Sequence, residues 1–388
     1  MVHSSCSQFF ASNHSRDIIR CVLERSPLQK DIPYWWRILC GYFMRRQSVR
    51  FSRNPSSCSF AMPSSNEWDH DSSSSSTSSS SSSVDEDDII NARVAPDWTI
   101  YRRFIEQRGY RLDTVRDVKD YYQRHCVGPA RQHIDQYLPG YGRACAGLDD
   151  DALCRDAGLR ENLFRASRSC DGAKVMIKAV HIRSREIGIV RYLSSPLVRC
   201  DPMNHCIPIL DLIDVPEDDL SFVVMEEWSP HLFAEIPCCR RQFLRALEQC
   251  IEHVAFMHRH QIVHFDISLH NFLTDYNGNY ACIDYELSRS YIGVPNPRIF
   301  FSRGTELPPE FEGGQSCDPY KVDIWALAIL ILRASKLVEF HIPELIHLTI
   351  PMLSNHPDKR PSAALVLKEF RRLVPVMEPE LALYDVAS

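Results

Sequence analysis

The sequence predicts an α+β fold with two lobes, in which a small, β-rich lobe precedes a larger helical lobe. Short apolar runs follow one another between residues 163 and 225, which favours strands. From residue 241 onward, apolar residues recur at helical spacing over longer stretches. Strands first and helices later is the order expected of an α+β chain. With 44% apolar residues in 388, the chain can bury a sizeable core.

The first 90 residues have the composition of a disordered tail. The stretch from Ser72 to Ser83 is serine throughout except for Thr77, and an acidic run from Asp85 to Asp88 follows. A segment without apolar side chains cannot offset the entropy that ordering removes. We therefore expect residues 1–90 to form a disordered, serine-rich, low-complexity tail.

A helical extension is predicted over residues 91–150. Apolar residues share one face of its first helix: Trp98, Tyr101, Phe104 and Ile105. Gly109 is a natural end for that helix, because glycine readily adopts the left-handed conformation of the C′ position. Thr114, followed three residues later by Asp117, resembles a capping box that opens a second helix.

The main domain is predicted over residues 151–375, with a C-terminal tail over 376–388. The predicted strands of its small lobe are 163–166, 174–180 and 220–225. A helix follows the second of these strands, and a long helix is predicted over 241–259. Asn277-Gly278 between two short apolar runs predicts a hairpin, because this dipeptide suits a tight turn.

Charge and cysteine usage argue against several functional classes. A formal net charge of −6 provides no basic footprint for nucleic acid. The longest apolar run, Ile324–Leu332, is far shorter than the ~20 residues that span a bilayer. The N-terminus has no secretory signal pattern, and the 15 cysteines include no C-x-x-C pair. We therefore expect an intracellular protein, cytoplasmic or nuclear, with free thiols and neither a nucleic-acid nor a membrane partner.

Four segments carry residues suited to phosphoryl transfer. Residues 262–271 read I-V-H-F-D-I-S-L-H-N, which is similar to the catalytic loop H-R-D-L-x-x-x-N. Residues 283–286, I-D-Y-E, resemble the metal motif D-F-G. Upstream, residues 175–178, V-M-I-K, are similar to V-A-I-K at the end of a strand, and Glu186 begins the next helix.

Further motifs follow in the same order as in one known family. Residues 304–310 resemble the end of an activation segment, 322–325 the start of a buried central helix, and 358–361 a late arginine motif. Any one of these matches is weak, but together they make the chain resemble the eukaryotic protein kinase superfamily. Residues 204–210 and 222–225 further resemble the divergent kinase-like proteins of mushroom-forming fungi.

The resemblance implies a Mg-ATP site and a role for each matched residue. Lys178 would pair with the α- and β-phosphates, and Glu186 would hold its ammonium group. Asn271 and Asp284 would supply hard oxygen ligands to Mg²⁺. Asp266 would accept the proton of the acceptor hydroxyl, so the expected partner is a protein substrate, most simply at serine or threonine.

The resemblance also indicates where adenine would bind. Met176 would lie against one face of the ring and Leu273 against the other, and Met225 and Glu226 are further candidate cofactor-binding residues. No G-x-G-x-x-G precedes Lys178, so a phosphate-covering loop of that kind is not predicted.

Two alternatives to an active protein kinase stay open at this point. A pseudokinase scaffold with weak nucleotide binding stays open because the missing glycine loop and Ser268, in place of a lysine, argue against an active kinase. The intact set of motif residues argues against a pseudokinase, because most pseudokinases have lost at least one of them. A small-molecule phosphotransferase is suggested by residues 284–286, which resemble the I-D-F/W-E motif of choline and aminoglycoside kinases. The Pro-Pro-Glu sequence at 308–310 argues against the latter, because those enzymes lack it.

Two further expectations concern structure and regulation. Glu310 and Arg360 should form the lobe-bracing ion pair that the resemblance implies. Phe265 replaces the arginine that reads a phosphorylated activation segment in many kinases, so such phosphorylation should not act as the switch. The candidate acceptors in that segment are Ser288, Ser290, Tyr291, Ser302 and Thr305.

Overall fold

The computed structural model describes residues 89–125, 149–155, 159–229, 232, 240–300, 303–312, 314–338 and 342–377. Nearly all of the predicted tails, 1–90 and 376–388, lies outside the described residues. The helices are α1 Trp98–Gln107, α2 Val115–His125, α3 Arg185–Leu193, α4 Pro196–Arg199, α5 Arg240–Arg259, α6 Pro319–Leu337, α7 Pro343–Met352 and α8 Ala363–Met377. The strands are β1 Tyr110–Leu112, β2 Leu163–Arg168, β3 Lys174–His181, β4 Ile209–Val215, β5 Leu220–Glu226, β6 Ile262–Val263, β7 Phe272–Thr274, β8 Tyr280–Cys282 and β9 Arg289–Ser290.

The small lobe is built on an antiparallel sheet. Among the described residues, five strands form it in the order β1-β2-β3-β5-β4. In the register of β3, Met176 lies opposite Met225, and Lys178 lies opposite Leu163 and Val223. Because side chains alternate along a strand, Met176 and Lys178 leave the same face of β3. The three predicted strands are confirmed as β2, β3 and β5.

Strand β1 lies inside the segment predicted to be a helical extension. Tyr110 pairs with Arg168 and Leu112 with Ala166, so β1 is an edge strand of the small-lobe sheet. The chain between β1 and β2 includes α2, and within it Cys154 N donates to the carbonyl of Asp113, the residue that follows β1. The predicted boundary at 151 therefore falls within the connection between two strands of one sheet. Three residues are too short a run for alternation to predict a strand.

Strand β4 was also not predicted from the sequence. Its residues Ile209–Val215 read I-L-D-L-I-D-V, which does not alternate strictly. Asp211 and Asp214 are of a residue type that is depleted in strands. Pairing along β5, from Ile209–Met225 to Val215–Leu220, holds the segment extended, so tertiary context overrides local propensity.

Helix α1 packs its apolar face against this sheet. The Trp98 ring lies 5.2 Å from that of Phe164, and Ile105 is fully buried. Gly109 follows the C-cap with φ +87°, as its position predicts. Phe104 is the exception to the predicted face, because its side chain is exposed.

The predicted start of α2 is confirmed in its capping contact. Thr114 N donates to Asp117 Oδ2 at 2.8 Å, and the Thr114 hydroxyl donates to the same oxygen. The helix that follows begins at Val115. This contact is one half of a capping box, and it satisfies the backbone N–H of Thr114.

The large lobe is helical, and its core is formed where α5, α6 and α8 pack together. The predicted apolar face of α5 is buried, including Leu247, Ile251 and Val254. Strands β7 and β8 form the predicted hairpin, and Gly278 in its turn has φ +87°. The two-lobed α+β fold predicted from the sequence is thereby confirmed. In the part of the chain that the structure describes, no helix combines the length and apolar character needed to cross a membrane.

Candidate active site

Lys178 lies between two carboxylates at the meeting point of the lobes. Its Nζ is 2.6 Å from Glu186 Oε1 and 2.8 Å from Asp284 Oδ1. β3 supplies the lysine, and the first turn of α3, capped by Ser184, supplies Glu186. The ion pair between Lys178 and Glu186 that the motif order predicts is present, and both side chains are buried.

The charges of this cluster hold one another in place. Burial acts to lower the pKa of Lys178, but the carboxylates of Asp284 and Glu186 raise it above its usual value. Burial likewise acts to raise the pKa of Asp284, and the charge of Lys178 overrides it, so that pKa is lowered. Lys178 therefore stays an ammonium ion and Asp284 a carboxylate, a preorganised pair for a phosphate and a cation.

The loop after β6 brings Asp266 and Asn271 together. Asn271 Nδ2 donates to Asp266 Oδ2 at 2.9 Å and to the Asp266 carbonyl at 2.8 Å. From the buried helix α6, the carboxylate of Asp323 accepts the backbone N–H groups of His264 and Phe265, both at 2.8 Å. These bonds hold the loop, whose residue Phe265 has φ +64°. Asp323 thus positions the loop that carries Asp266.

Asp266 also contacts the end of the activation segment. Thr305 N donates to Asp266 Oδ1 at 2.7 Å. The residue before it, Gly304, passes so close to the loop that a Cβ there would lie 2.0 Å from Phe265 O. The glycine of this motif is therefore required by a backbone contact.

Gly304→Ala is expected to lower phosphoryl transfer by on the order of 10²-fold, because the added methyl group pushes the segment away from Asp266. The matched control is Gly188→Ala on α3, where a Cβ meets no atom within 4 Å. Initial rates and thermal melts of both variants provide the measurement. A Gly304→Ala protein with parental rates would show that this contact does not matter for activity.

The metal motif has an unusual conformation and unusual partners. Asp284 has φ +65°, and the following Tyr285 is buried, with its hydroxyl donating to Cys282 O at 3.2 Å. Asp284 Oδ2 accepts a hydrogen bond from Arg160 Nη1 at 3.0 Å. Sequence reasoning missed Arg160, because no local motif links it to a residue 124 positions later in the chain.

Glu286 stands where the D-F-G motif has glycine, and it pairs with basic side chains. Arg93 Nε donates to its Oε2 at 2.8 Å, and Arg160 Nη1 lies 4.0 Å from the same oxygen. Arg93 comes from the segment before α1, in which Asn91 Oδ1 also accepts the N–H of Arg185. The segment preceding the small-lobe sheet therefore joins α3 to the metal motif. Arg93 was likewise not predicted from the sequence.

The candidate adenine-binding residues lie on two lobes. Met176 and Met225 are neighbours on adjacent strands, and both are partly buried. Leu273 is a buried residue of β7 in the large lobe. Glu226, at the end of β5, accepts a hydrogen bond from Trp228 Nε1 at 2.8 Å. Their contacts with adenine stay a prediction.

The residues present fit a magnesium-nucleotide complex. Asp284 offers a carboxylate. The two hydrogen bonds from Asn271 to Asp266 use only Nδ2 of the amide, so the amide oxygen of Asn271 is not engaged in them. Carboxylate and amide oxygens are the hard ligands that Mg²⁺ prefers, usually alongside phosphate oxygens. Lys178 adds a fixed positive charge 2.8 Å from the candidate metal ligand Asp284.

An apolar cluster holds the activation segment against the catalytic loop. Phe265 is buried with Ile299, Cys317 and Val322, and Ile299 exchanges two backbone hydrogen bonds with Cys317, at 3.0 and 2.9 Å. Phe265 replaces a charged anchor with an apolar one, which orders this part of the segment without a phosphate. Of the candidate acceptors, Ser288 is fully buried and Ser302 lies outside the described residues.

Phosphatase treatment of the purified protein is expected to leave its ATP turnover unchanged. Phe265 has no donor with which to bind a phosphate, and the segment is already held by apolar contacts. Turnover before and after treatment, with the sites mapped by mass spectrometry, is the measurement. A large loss of activity that maps to any of the five candidate acceptors, Ser288, Ser290, Tyr291, Ser302 or Thr305, would overturn this prediction.

The chain is similar to known protein kinases. Residues 171–343 match the family described as protein kinase domain. Human NUAK family SNF1-like kinase 2 is 25% identical over 220 residues, which cover 55% of this chain and 32% of that protein. NUAK family SNF1-like kinase 1 of mouse is 28% identical over 166 residues, covering 42% and 24% respectively.

A bacterial protein shows the same likeness. Serine/threonine-protein kinase PrkC of Bacillus subtilis is 32% identical over 126 residues, which cover 30% of this chain and 19% of that protein. The chain thus spans less than a third of the length of these relatives. The motif order, the sheet topology and these matches agree. Residues 171–343 therefore match a protein kinase domain, and the proteins that the chain resembles include serine/threonine kinases.

Proposed function

We propose that this chain is an ATP-dependent protein kinase that transfers the γ-phosphate of Mg-ATP to a serine or threonine hydroxyl of a protein substrate. The observation that carries the proposal is the joint placement of Lys178, Glu186 and Asp284. Asn271, which holds Asp266, is linked to them because its carbonyl accepts the N–H of Ile283, the residue before Asp284, at 3.0 Å. Phosphoryl transfer depends on positioning and charge neutralisation more than on covalent chemistry. This set of residues supplies both.

Each residue has a role that its contacts support. Lys178 binds a phosphate oxygen, and Glu186 keeps its ammonium group oriented. Asp284 and the amide oxygen of Asn271 hold Mg²⁺, which when bound neutralises charge on the phosphates. Asp266, with one oxygen on Asn271 and the other on Thr305 N, orients the acceptor hydroxyl and takes its proton.

The finer parts of the proposal rest on the sequence. The named serine/threonine kinases support the choice of acceptor. The resemblance to kinase-like proteins of mushroom-forming fungi, an intracellular location, and the domain limits 151–375 stay predictions. We place the start of the small-lobe sheet earlier, at Tyr110, because β1 pairs with β2.

A catalytically weak scaffold is the second candidate function, and one observation favours it. The connection between β1 and β2 is long and contains α2, where many kinases have a short phosphate-covering loop. A small-molecule phosphotransferase is less well supported, because Arg360 and Glu310 form the ion pair that the protein-kinase resemblance implies.

One experiment separates these functions. The full chain is titrated with ATP in the presence of Mg²⁺ or EDTA. Phosphate transfer is then followed to the chain itself, to a generic protein substrate, to choline and to an aminoglycoside. Mg²⁺-dependent binding with protein phosphorylation supports the proposal. Binding without transfer supports the scaffold, transfer to choline or an aminoglycoside supports the third function, and no binding at all contradicts the kinase proposal.

A further inference from the structure

The segment just before β2 lies against the candidate metal site. Arg160 is the third residue before the start of β2, at the end of the long connection from β1. Its Nη1 lies 3.0 Å from Asp284 Oδ2 and 4.0 Å from Glu286 Oε2. The β1–β2 connection therefore places the positive charge of Arg160 beside Asp284, the aspartate of the metal motif.

The backbone around Arg160 is held firmly. Its carbonyl accepts the N–H of Leu163 at 3.0 Å, and the next carbonyl, of Glu161, accepts Trp98 Nε1 at 3.0 Å. The carbonyl of Asn162 accepts the N–H of Ala179 on β3 at 2.8 Å. The backbone at Arg160 is thus fixed to α1 and to the sheet.

The guanidinium, in contrast, is half-exposed to water. The Arg160 side chain is 48% exposed, whereas that of Lys178 is 8% exposed and has a second carboxylate partner in Glu186. Both oxygens of Asp284 accept from cations, Oδ1 from Lys178 and Oδ2 from Arg160. When an oxygen of Asp284 binds a metal ion, one of its two cationic partners must move away. Moving Arg160 costs less free energy than moving Lys178, because water already solvates the guanidinium.

We propose that Arg160 is a further nucleotide-binding residue, which moves from Asp284 to the phosphate oxygens when the metal-nucleotide complex binds. The proposal deepens the proposed kinase function and rests on it. A guanidinium suits this role because its N–H fork matches phosphate geometry. Arg160 thereby supplies the phosphate contacts that backbone amides of a glycine-rich loop would otherwise make.

The test compares ligands with and without phosphates on the full-length protein. Isothermal titration calorimetry with Mg-ATP and with adenosine is run on the parent, Arg160→Gln and Arg160→Lys. We expect Arg160→Gln to bind Mg-ATP about 10- to 100-fold more weakly while its adenosine affinity is unchanged. Arg160→Lys keeps the charge but not the fork, so its loss should be smaller.

The matched control is Arg372→Gln on α8 of the large lobe. Arg372 pairs with Glu369 at 2.8 Å and is likewise exposed, and neither residue belongs to the candidate site. Its Mg-ATP affinity should equal that of the parent, and thermal melts should show that all variants fold.

Three results would overturn the assignment of Arg160. The first is an unchanged Mg-ATP affinity in Arg160→Gln. The second is tighter Mg-ATP binding, which would mean that Arg160 blocks Asp284 in the parent. The third is an equal loss of adenosine affinity, which would make the role of Arg160 structural. A parent protein that binds no nucleotide would overturn the proposed function as well. The assignment is supported only if Arg160→Gln binds Mg-ATP more weakly than the parent and binds adenosine as tightly as the parent.

Discussion

Asp284→Asn is expected to lower phosphoryl transfer by on the order of 10²–10³ while leaving the fold intact. The change removes one preorganised charge at the phosphates and a carboxylate ligand for Mg²⁺. Asparagine keeps the size of the side chain and tolerates the positive φ of +65° at this position. Lys178 retains Glu186 as its partner, at 2.6 Å, so no buried ammonium is left without a carboxylate.

The control for this prediction is the same substitution on the surface. Asp171→Asn removes the charge of an exposed carboxylate that pairs with Arg168 and accepts the N–H of Ala173, and it should leave the rate unchanged. Initial rates at saturating Mg-ATP, together with thermal melts, are the measurement. Parental activity in Asp284→Asn would exclude a metal-binding role for this residue.

Lys178→Met should also abolish transfer, but the structure changes the expectation for stability. A lysine that faced only the nucleotide could be replaced without a loss of stability. Lys178 is instead buried between Glu186 and Asp284. Its removal leaves the buried carboxylate of Glu186 without its cation, whereas Asp284 keeps Arg160. Breaking a buried pair from one side typically costs roughly 3–5 kcal/mol, so Asp284→Asn is the cleaner test of catalysis.

Glu310→Ala and Arg360→Ala are each expected to lower the free energy of unfolding by roughly 3–5 kcal/mol. Arg360 binds Glu310 through two hydrogen bonds of 2.7 Å, and the two side chains are 0% and 1% exposed. Either change leaves one charge buried without its partner. Arg360 also donates to Ser354 O and lies 4.9 Å over the Trp325 ring, so its loss removes further contacts.

A surface pair in the same lobe provides the control. Arg372 and Glu369 lie 2.8 Å apart on α8 and are both exposed, so removing either should change stability by less than about 1 kcal/mol. Urea or thermal unfolding of all four variants gives the comparison. If Glu310→Ala and Arg360→Ala melt like the parent, the pair does not brace the lobe.

How far the sequence predicts the site depends on how local the information is. Lys178, Asp266 and Asn271 could be found because each belongs to a short motif whose residue types match its chemistry. The strands on either side of Lys178 and the long helix α5 could be predicted from apolar periodicity. The capping contact of Thr114 and the hairpin turn at Gly278 are likewise local, and both are present.

The other features are determined by contacts between distant segments. β1 is too short to have a period, and it becomes a strand because β2 lies beside it in the folded lobe. Nothing in the sequence distinguishes Arg160 and Arg93 from other arginines, and only chain folding brings them to Asp284 and Glu286. Residue type determines what a side chain can bind, but the ion pairs that it forms depend on the packing of segments far apart in sequence. The sequence by itself thus determined the two-lobed fold and the chemistry of the motif residues, whereas only the tertiary structure placed an arginine on the candidate metal ligand.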